Sequence, residues 1–175
     1  MIDLAKIDIT KRKRISIIGC TGSGKSVLAQ KLGVGLHLPV YHLDDYYWLP
    51  GWEKRNREEL GEIVRKITET SEWIIEGNYQ VTVESRFANS DLIIWLDFLL
   101  DVCIDNIKKR HASGVYVGMP EFEHKNPNEN LDDLINLAKG HAAKYEWTIP
   151  LIEKHKKKIL KFETMAQVDD FVNSI

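Results

Sequence analysis

Residues 19–26 read GCTGSGKS, between the apolar run RISII and the segment VLAQKL. The pattern is G-x-x-x-x-G-K-[ST], with Gly19, Gly24, Lys25 and Ser26 in the fixed places. Glycines at these positions let the backbone curl until successive N–H groups point inward, and a helix starting at Lys25 adds its positive end. Such a loop cradles phosphate oxygens through residues Gly19, Cys20, Thr21, Gly22, Ser23, Gly24, Lys25 and Ser26. Lys25 is placed to reach the β and γ phosphates, and the Ser26 hydroxyl to ligate Mg²⁺. The mechanism requires a strand before the loop and a helix after it, and the flanking residues supply both signals.

That requirement organises the rest of the chain. Residues 13–18 read as a buried strand, and Lys25 to about Leu36 as a short helix ending at Gly33 and Gly35. PVYHLD is a second strand candidate. Leu60, Ile63, Val64 and Ile67 recur at the spacing of an amphipathic helix over residues 56–70. WIIEG and LIIWLDF are short apolar runs, each closed by an acidic residue, as buried parallel strands are. Cys103, Ile104 and Ile107 mark a helix at about 99–110. The stretch 112–128, with two glycines, two prolines and no period, reads as a loop or lid, within a lid segment of about 108–145. Leu131, Leu134, Ile135, Ala138, Ala142 and Tyr145 then mark a long helix interrupted at Pro150. KKILKF is the last strand, and Thr164 with Gln167 forms a capping box for a final helix buried through Val168, Phe171, Val172 and Ile175. Alternating strands and helices predict an α/β domain, a parallel sheet covered on both faces in a three-layer αβα sandwich.

Other features narrow the partners. The 175 residues carry a net charge of -2, where a non-specific nucleic-acid binder is usually basic. No apolar run approaches a membrane span, and MIDLAKIDITKRKR lacks the apolar core of a signal peptide. Residues 1–12 precede the first strand, as an arm over the sheet edge or a disordered tail. Two cysteines, Cys20 and Cys103, form neither a disulfide framework nor a metal-ligand pattern, which fits a reducing cytoplasm. His42, two before Asp44 in the expected strand, shares its face and reads as a hydrogen-bonded neighbour of the acceptor rather than a metal ligand. Cys20 occupies a variable position of the loop; a helix N-terminus beside it can lower a thiol pKa, but the simpler reading gives it no redox role. HKKK at 155–158 reads as a solvated helix end.

In an open parallel sheet, ligands collect at the carboxyl ends of the strands, which brings Asp44, Glu76 and Asp97 toward the loop. One of them orients Mg²⁺ through water and another takes a proton from an attacking hydroxyl. A monophosphate acceptor needs bidentate arginines instead, for which Arg55, Arg57 and Arg86 are the candidates. Tyr46, Tyr47, Trp48 and Trp52 either stack on an acceptor ring or plug the core.

YHLDDYYWLPGW at 41–52, WIIEGNY at 73–79 and LIIWLDF at 92–98, together with the loop at 19–26, resemble the adenylate kinase-like P-loop proteins known as DNA topology modulation proteins. The resemblance spans roughly the first 100 residues. It implies a nucleoside monophosphate kinase fold with a five-stranded parallel sheet in order 2-3-1-4-5, an acceptor region after strand 2 and a helical lid before the last strand. It implies that Glu76 and Gly77 match the acidic-glycine step after strand 3 of adenylate kinases. Asp44 matches the acceptor-side carboxylate of shikimate and uridine kinases. The lid departs from the relatives: they bring several arginines to the transferring phosphoryl group, whereas here only Arg110 lies beyond Arg86. Lys108, Lys109, His111, Lys139, His141 and Lys144 are the other basic groups nearby, point charges without the planar fork.

The expectation is a cytoplasmic Mg²⁺-ATP-dependent phosphotransferase acting on a small-molecule or nucleotide acceptor held near Asp44, Trp52 and Arg86. Lys25 and the loop amides hold the phosphates, Ser26 the metal, Glu76 or Asp97 its water shell, and Arg110 the developing charge. Alternatives are an NTPase switch read by a partner, DNA-associated in the sense of the family name, and a nucleotide-binding module with little catalysis.

Overall fold

Why β1 sits where it does follows from its composition: Ile15, Ile17 and Ile18 are apolar on both faces, and such a strand is stable only with neighbours on both edges and layers above and below. In the computed structural model, which describes residues 7–114, 130–141 and 146–175, it lies in the middle of a five-stranded parallel sheet. The strands are β1 (Arg14–Gly19), β2 (Val40–His42), β3 (Trp73–Glu76), β4 (Leu92–Leu96) and β5 (Ile159–Phe162). Their order is β2-β3-β1-β4-β5, the 2-3-1-4-5 arrangement expected. A two-residue ribbon, Trp48–Leu49 against Glu53–Lys54, stands apart from the sheet.

Eight helices of the described residues complete the layers: α1 (Lys25–Leu36), α2 (Leu43–Tyr47), α3 (Arg57–Thr68), α4 (Gln80–Asn89), α5 (Leu100–Ser113), α6 (Leu131–Lys139), α7 (Ile149–Lys154) and α8 (Met165–Asn173). One face of the sheet is covered by α1, α5, α6 and α8 through Leu28, Leu32, Ile107, Leu134 and Phe171. On the other, α3 buries Leu60 and Val64, while α4 and α7 bury Val83, Phe87 and Ile152. Each fully buried side chain of this size contributes about 1.5–3 kcal/mol through removal from water. The capping box of Thr164 and Gln167 is present, with Val168 and Phe171 buried beneath it and Ile175 left 39% exposed.

α1 spans Lys25–Leu36, the bounds expected, with Gly33 and Gly35 inside its last turn, because its buried stripe of Leu28, Ala29 and Leu32 outweighs the roughly 1 kcal/mol that each interior glycine costs. Two local expectations are corrected. Pro150 starts α7 within its first turn, where the missing N–H has no helical partner to lose, instead of interrupting a longer helix. The second strand ends at His42, and Asp44 and Asp45 occupy the first turn of α2, where carboxylates favour the helix dipole. His42 and Asp44 therefore do not share a strand face. HKKK does end a helix, and Lys158 adds a bond of 3.0 Å from its Nζ to the Ala88 carbonyl at the end of α4.

The expected lid falls partly outside the described residues, at 115–129 and 142–145, as do Ala142, Lys144, Tyr145 and residues 1–6 of the N-terminal segment. Within the described part, α5 extends three residues past Arg110, and α6 buries Leu134 and Ala138, with Leu131 and Ile135 packed against the same core.

Candidate functional site

Parallel register decides which side chains meet at the carboxyl edge of the sheet. Glu76 is the last residue of β3, level with Ile17 of β1 on one side and His42 of β2 on the other. The chain after Ile17 enters the 19–26 loop, so Glu76 stands beside it. Its Oε1 accepts from the Ser26 hydroxyl at 2.9 Å and lies 2.9 Å from His42 Nδ1. Glu76 is 4% exposed and His42 8%. Burial alone would push the Glu76 carboxyl up, yet the His42 hydrogen bond, the Lys25 charge and the Ser26 hydrogen bond outweigh it and hold the group below its ordinary value. Burial would likewise push His42 down, and Glu76, with Asp45 and Asp44, raises it instead.

The loop has the geometry that the motif requires. Gly22 and Gly24 adopt φ of +84° and +86°, in the region that side-chain-bearing residues rarely enter. The loop is also pressed onto α5: a Cβ at Gly22 would lie 2.3 Å from the Cys103 carbonyl oxygen, whereas one at Gly24 would meet nothing within 4 Å. Asn106 of α5 donates from Nδ2 to the Gly22 carbonyl at 3.0 Å, and Asn78 donates to the Gly19 carbonyl at 2.6 Å. Lys25 folds back and donates from Nζ to the Cys20 carbonyl at 3.0 Å, capping the inside of the loop.

Asp44 reaches the same cluster from α2. Its Oδ1 accepts from the Tyr79 hydroxyl at 2.6 Å. Enclosing protein and the Glu76 charge raise its pKa, against the opposing pull of the Tyr79 hydrogen bond, Lys25 and Arg110. The residue keeps an exposed surface beside this cluster. Tyr79 is pushed up by burial and by Asp44. Thus Lys25, Ser26, Glu76, Asp44 and Arg110 share one electrostatic neighbourhood although they come from α1, β3, α2 and α5.

Arg86 and Asp97 are placed elsewhere. Arg86 is wholly buried, and its guanidinium donates to the Gly77 carbonyl at 2.9 Å, bracing the turn that follows Glu76 from inside. Asp97 pairs with Lys161 of β5 at 2.7 Å, tying the ends of β4 and β5. Arg55 donates to the Tyr46 carbonyl at 2.6 Å and faces Glu59 at 3.6 Å, while Arg57 is exposed at the start of α3.

The aromatic residues divide between the two readings. Tyr41, Tyr46, Tyr47 and Tyr79 pack on the core of Leu43, Leu60, Val64, Trp73 and Ile75. Trp48 and Trp52 extend the row outward, in edge-to-face contact at 5.9 Å, with Tyr47 5.1 Å from Trp48. Sequence reasoning assigned no role to Asn78, Tyr79 or Asn106. The first two adjoin Glu76 and Gly77 in WIIEGNY, so proximity to the strand end was the available signal; Asn106 had none.

The donors fit a magnesium-bound triphosphate: a helix-leading loop with inward curl, a mobile-length cation at Lys25, and a hydroxyl and carboxylate of hard oxygen character at Ser26 and Glu76. Among the described residues no group of three or more His, Cys, Asp and Glu is arranged to hold a metal by protein ligands alone. No helix among them is long and apolar enough to cross a membrane.

The chain matches no protein-family model. It is 28% identical over 120 residues to the uncharacterized protein YqaC of Bacillus subtilis, a match covering 64% of this chain and 66% of that protein. Among solved structures, a shikimate kinase from Bacteroides thetaiotaomicron superposes with a TM-score of 0.59 at 16% identity, covering 93% of this chain and 96% of the other. An uncharacterized protein from Eubacterium ventriosum gives a TM-score of 0.49 at 13% identity, over 92% and 98% of the two chains. At such identities the likeness is one of fold: the chain has the P-loop α/β fold that shikimate kinase also has.

Proposed function

We propose that the protein is an ATP-dependent phosphotransferase that delivers a phosphoryl group to a hydroxyl of a small acceptor. The observation that carries this reading is the placing of two carboxylates at one strand edge: Glu76 accepts from the Ser26 hydroxyl of the phosphate loop, and Asp44, held by the Tyr79 hydroxyl, keeps an exposed surface that an acceptor can reach. A carboxylate so placed can act as general base, a role worth about 10²–10⁴ in rate.

Bound MgATP would supply the transferable phosphoryl group and the metal charge. Lys25 and the amides of residues 20–26 hold phosphate oxygens, with Lys25 exchanging the Cys20 carbonyl for them. Ser26 and Glu76 hold the metal and its water shell. Asp44 accepts the acceptor's proton, oriented by the Tyr79 hydroxyl. Arg110, whose charge already reaches Asp44, neutralises charge on the moving group, a role worth about 10³–10⁵ where an arginine finger acts. A hydroxyl acceptor is favoured over a monophosphate because Arg86 and Arg55 are engaged with backbone carbonyls while Asp44 faces the cluster. Trp48 and Trp52 offer ring surface for the acceptor.

The test is ADP release from MgATP with a panel of nucleosides, hydroxylated metabolites and nucleoside monophosphates, with Lys25→Ala as control. A many-fold stimulation by one hydroxylated compound, abolished in Lys25→Ala, is the expected result. Stimulation by a monophosphate alone refutes the acceptor class, and turnover indifferent to every acceptor refutes the kinase reading in favour of an NTPase.

A further inference from the structure

The two thiols have no part in phosphotransfer as described, and both are buried in the core cluster where the phosphate loop rests on α5. Cys20 is the second residue of the phosphate loop, and Cys103 lies in the first turn of α5. Both are buried in one core cluster with Ala138, toward whose carbonyl the Cys20 thiol points at 3.8 Å. The two thiols act on each other's acidity more than any other group does. The surrounding backbones are close, as the Gly22 approach to the Cys103 carbonyl and the Asn106 bond to Gly22 establish.

We infer that Cys20 and Cys103 are a peroxide-sensitive pair whose disulfide closes the phosphate loop to ATP. The roles within the pair differ. Cys20 sits in the loop at 9% exposure with the Lys25 ammonium on its own carbonyl, a charge that favours the thiolate, whereas Cys103 is wholly buried in α5. The Cys20 thiolate attacks one oxygen of hydrogen peroxide, breaking the O–O bond to give Cys20 sulfenic acid and hydroxide, which takes up the proton that Cys20 lost. The Cys103 sulfur then attacks the Cys20 sulfur, the S–O bond breaks, and the sulfenic oxygen leaves as water with the Cys103 proton. Two thiols are oxidised by two electrons and one peroxide is reduced to two waters.

The bond would be felt at the phosphates because of where the loop has no slack. A disulfide draws two sulfurs well inside non-bonded contact. The loop cannot follow by sinking at Gly22, which already rests on α5, so residues 19–21 must turn instead. That movement displaces the Cys20 carbonyl held by Lys25 and the amides that follow it.

The bond itself is independent of the function proposed above; its effect on ATP rests on that function. The reduced full-length chain is titrated with hydrogen peroxide, and intact mass, free thiols and MgATP affinity are followed before and after dithiothreitol. Expected are a monomer lighter by two hydrogens, loss of both thiols, a fall of about tenfold or more in ATP affinity, and recovery on reduction. Cys103→Ser and Cys103→Ala are expected to bind ATP as the reduced wild type does and to form no internal cross-link. Should either variant fail to fold, the reversible wild-type titration decides alone. Oxygen added at Cys20 without a cross-link, a cross-linked dimer, or two persisting thiols overturns the pair. A disulfide that leaves ATP affinity unchanged overturns the closure. A reduced protein that binds no ATP refutes the function above and the closure with it, while the mass shift still decides the pair.

Discussion

Gly22→Ala and Gly24→Ala form a matched pair that isolates the contact between the phosphate loop and α5. Both residues have nearly the same positive φ, +84° and +86°, so an alanine at either position carries the same backbone strain, about 1–2 kcal/mol. Only at Gly22 does the new methyl meet the protein, 2.3 Å from the Cys103 carbonyl oxygen, 2.8 Å from Ile107 Cγ1 and 3.1 Å from the Cys103 carbonyl carbon. Two of these atoms are helix backbone and cannot rotate away, so overpacking adds about 1–3 kcal/mol. Gly22→Ala should therefore cost about 2–5 kcal/mol in all, and Gly24→Ala about 1–2 kcal/mol. For a chain of this length 1 kcal/mol lowers Tm by about 2–4 °C, which separates the variants by roughly 2–12 °C. Differential scanning calorimetry without nucleotide measures this directly. Equal losses of stability would mean that the loop does not rest on α5, and the account of its missing slack would fail with it.

Asp91→Asn should remove about 1 kcal/mol near neutral pH, since the carboxylate receives both the Arg14 guanidinium and the backbone amides of Lys13 and Arg14. Folding depresses the Asp91 pKa, so its contribution is present above the ordinary value of 3.8 and lost as pH falls through the folded value; denaturation curves of wild type and variant should converge in acid. In Glu76→Gln the His42 pKa, observed by NMR titration without nucleotide, should fall, because burial remains while the nearest opposing charge is gone and only Asp45 and Asp44 still favour the cation; an unmoved His42 would contradict the pairing. With an acceptor in hand, Asp44→Asn should lower kcat by about 10²–10⁴ and leave ATP affinity within about twofold. A parallel loss of ATP binding would place Asp44 in the nucleotide site instead.

The sheet was readable because its signals are local and redundant. RISII before the loop, WIIEG and LIIWLDF each announce a buried strand, while their order, with RISII at the centre, came only from the resemblance to adenylate kinase-like proteins. α2 was missed because PVYHLD looks continuous as a strand, and only the dipole preference of Asp44 and Asp45 for a helix start argues otherwise. Composition could not say which arginines face the site. Arg86 looks as available as Arg110 in a string of letters, and the difference lies in the fold: the first is buried under the turn at Gly77, while the charge of the second acts on Asp44. Glu76 was legible from its place at a strand end, whereas its partner His42 depends on cross-strand register, which no single segment encodes.

The central position of β1 bears on how the chain is made. β1 pairs with β3 and β4, so its first neighbour is complete only at residue 76 and its second at residue 96. Glu76 meets the loop it faces when the first of these pairings forms. β5 joins only after α5, α6 and α7 have been traversed, adding its pairing with β4 across a long closed loop. Until then β4 presents Ile93 and Ile94 on an open edge, which makes the nascent chain most prone to association just before its last strand docks.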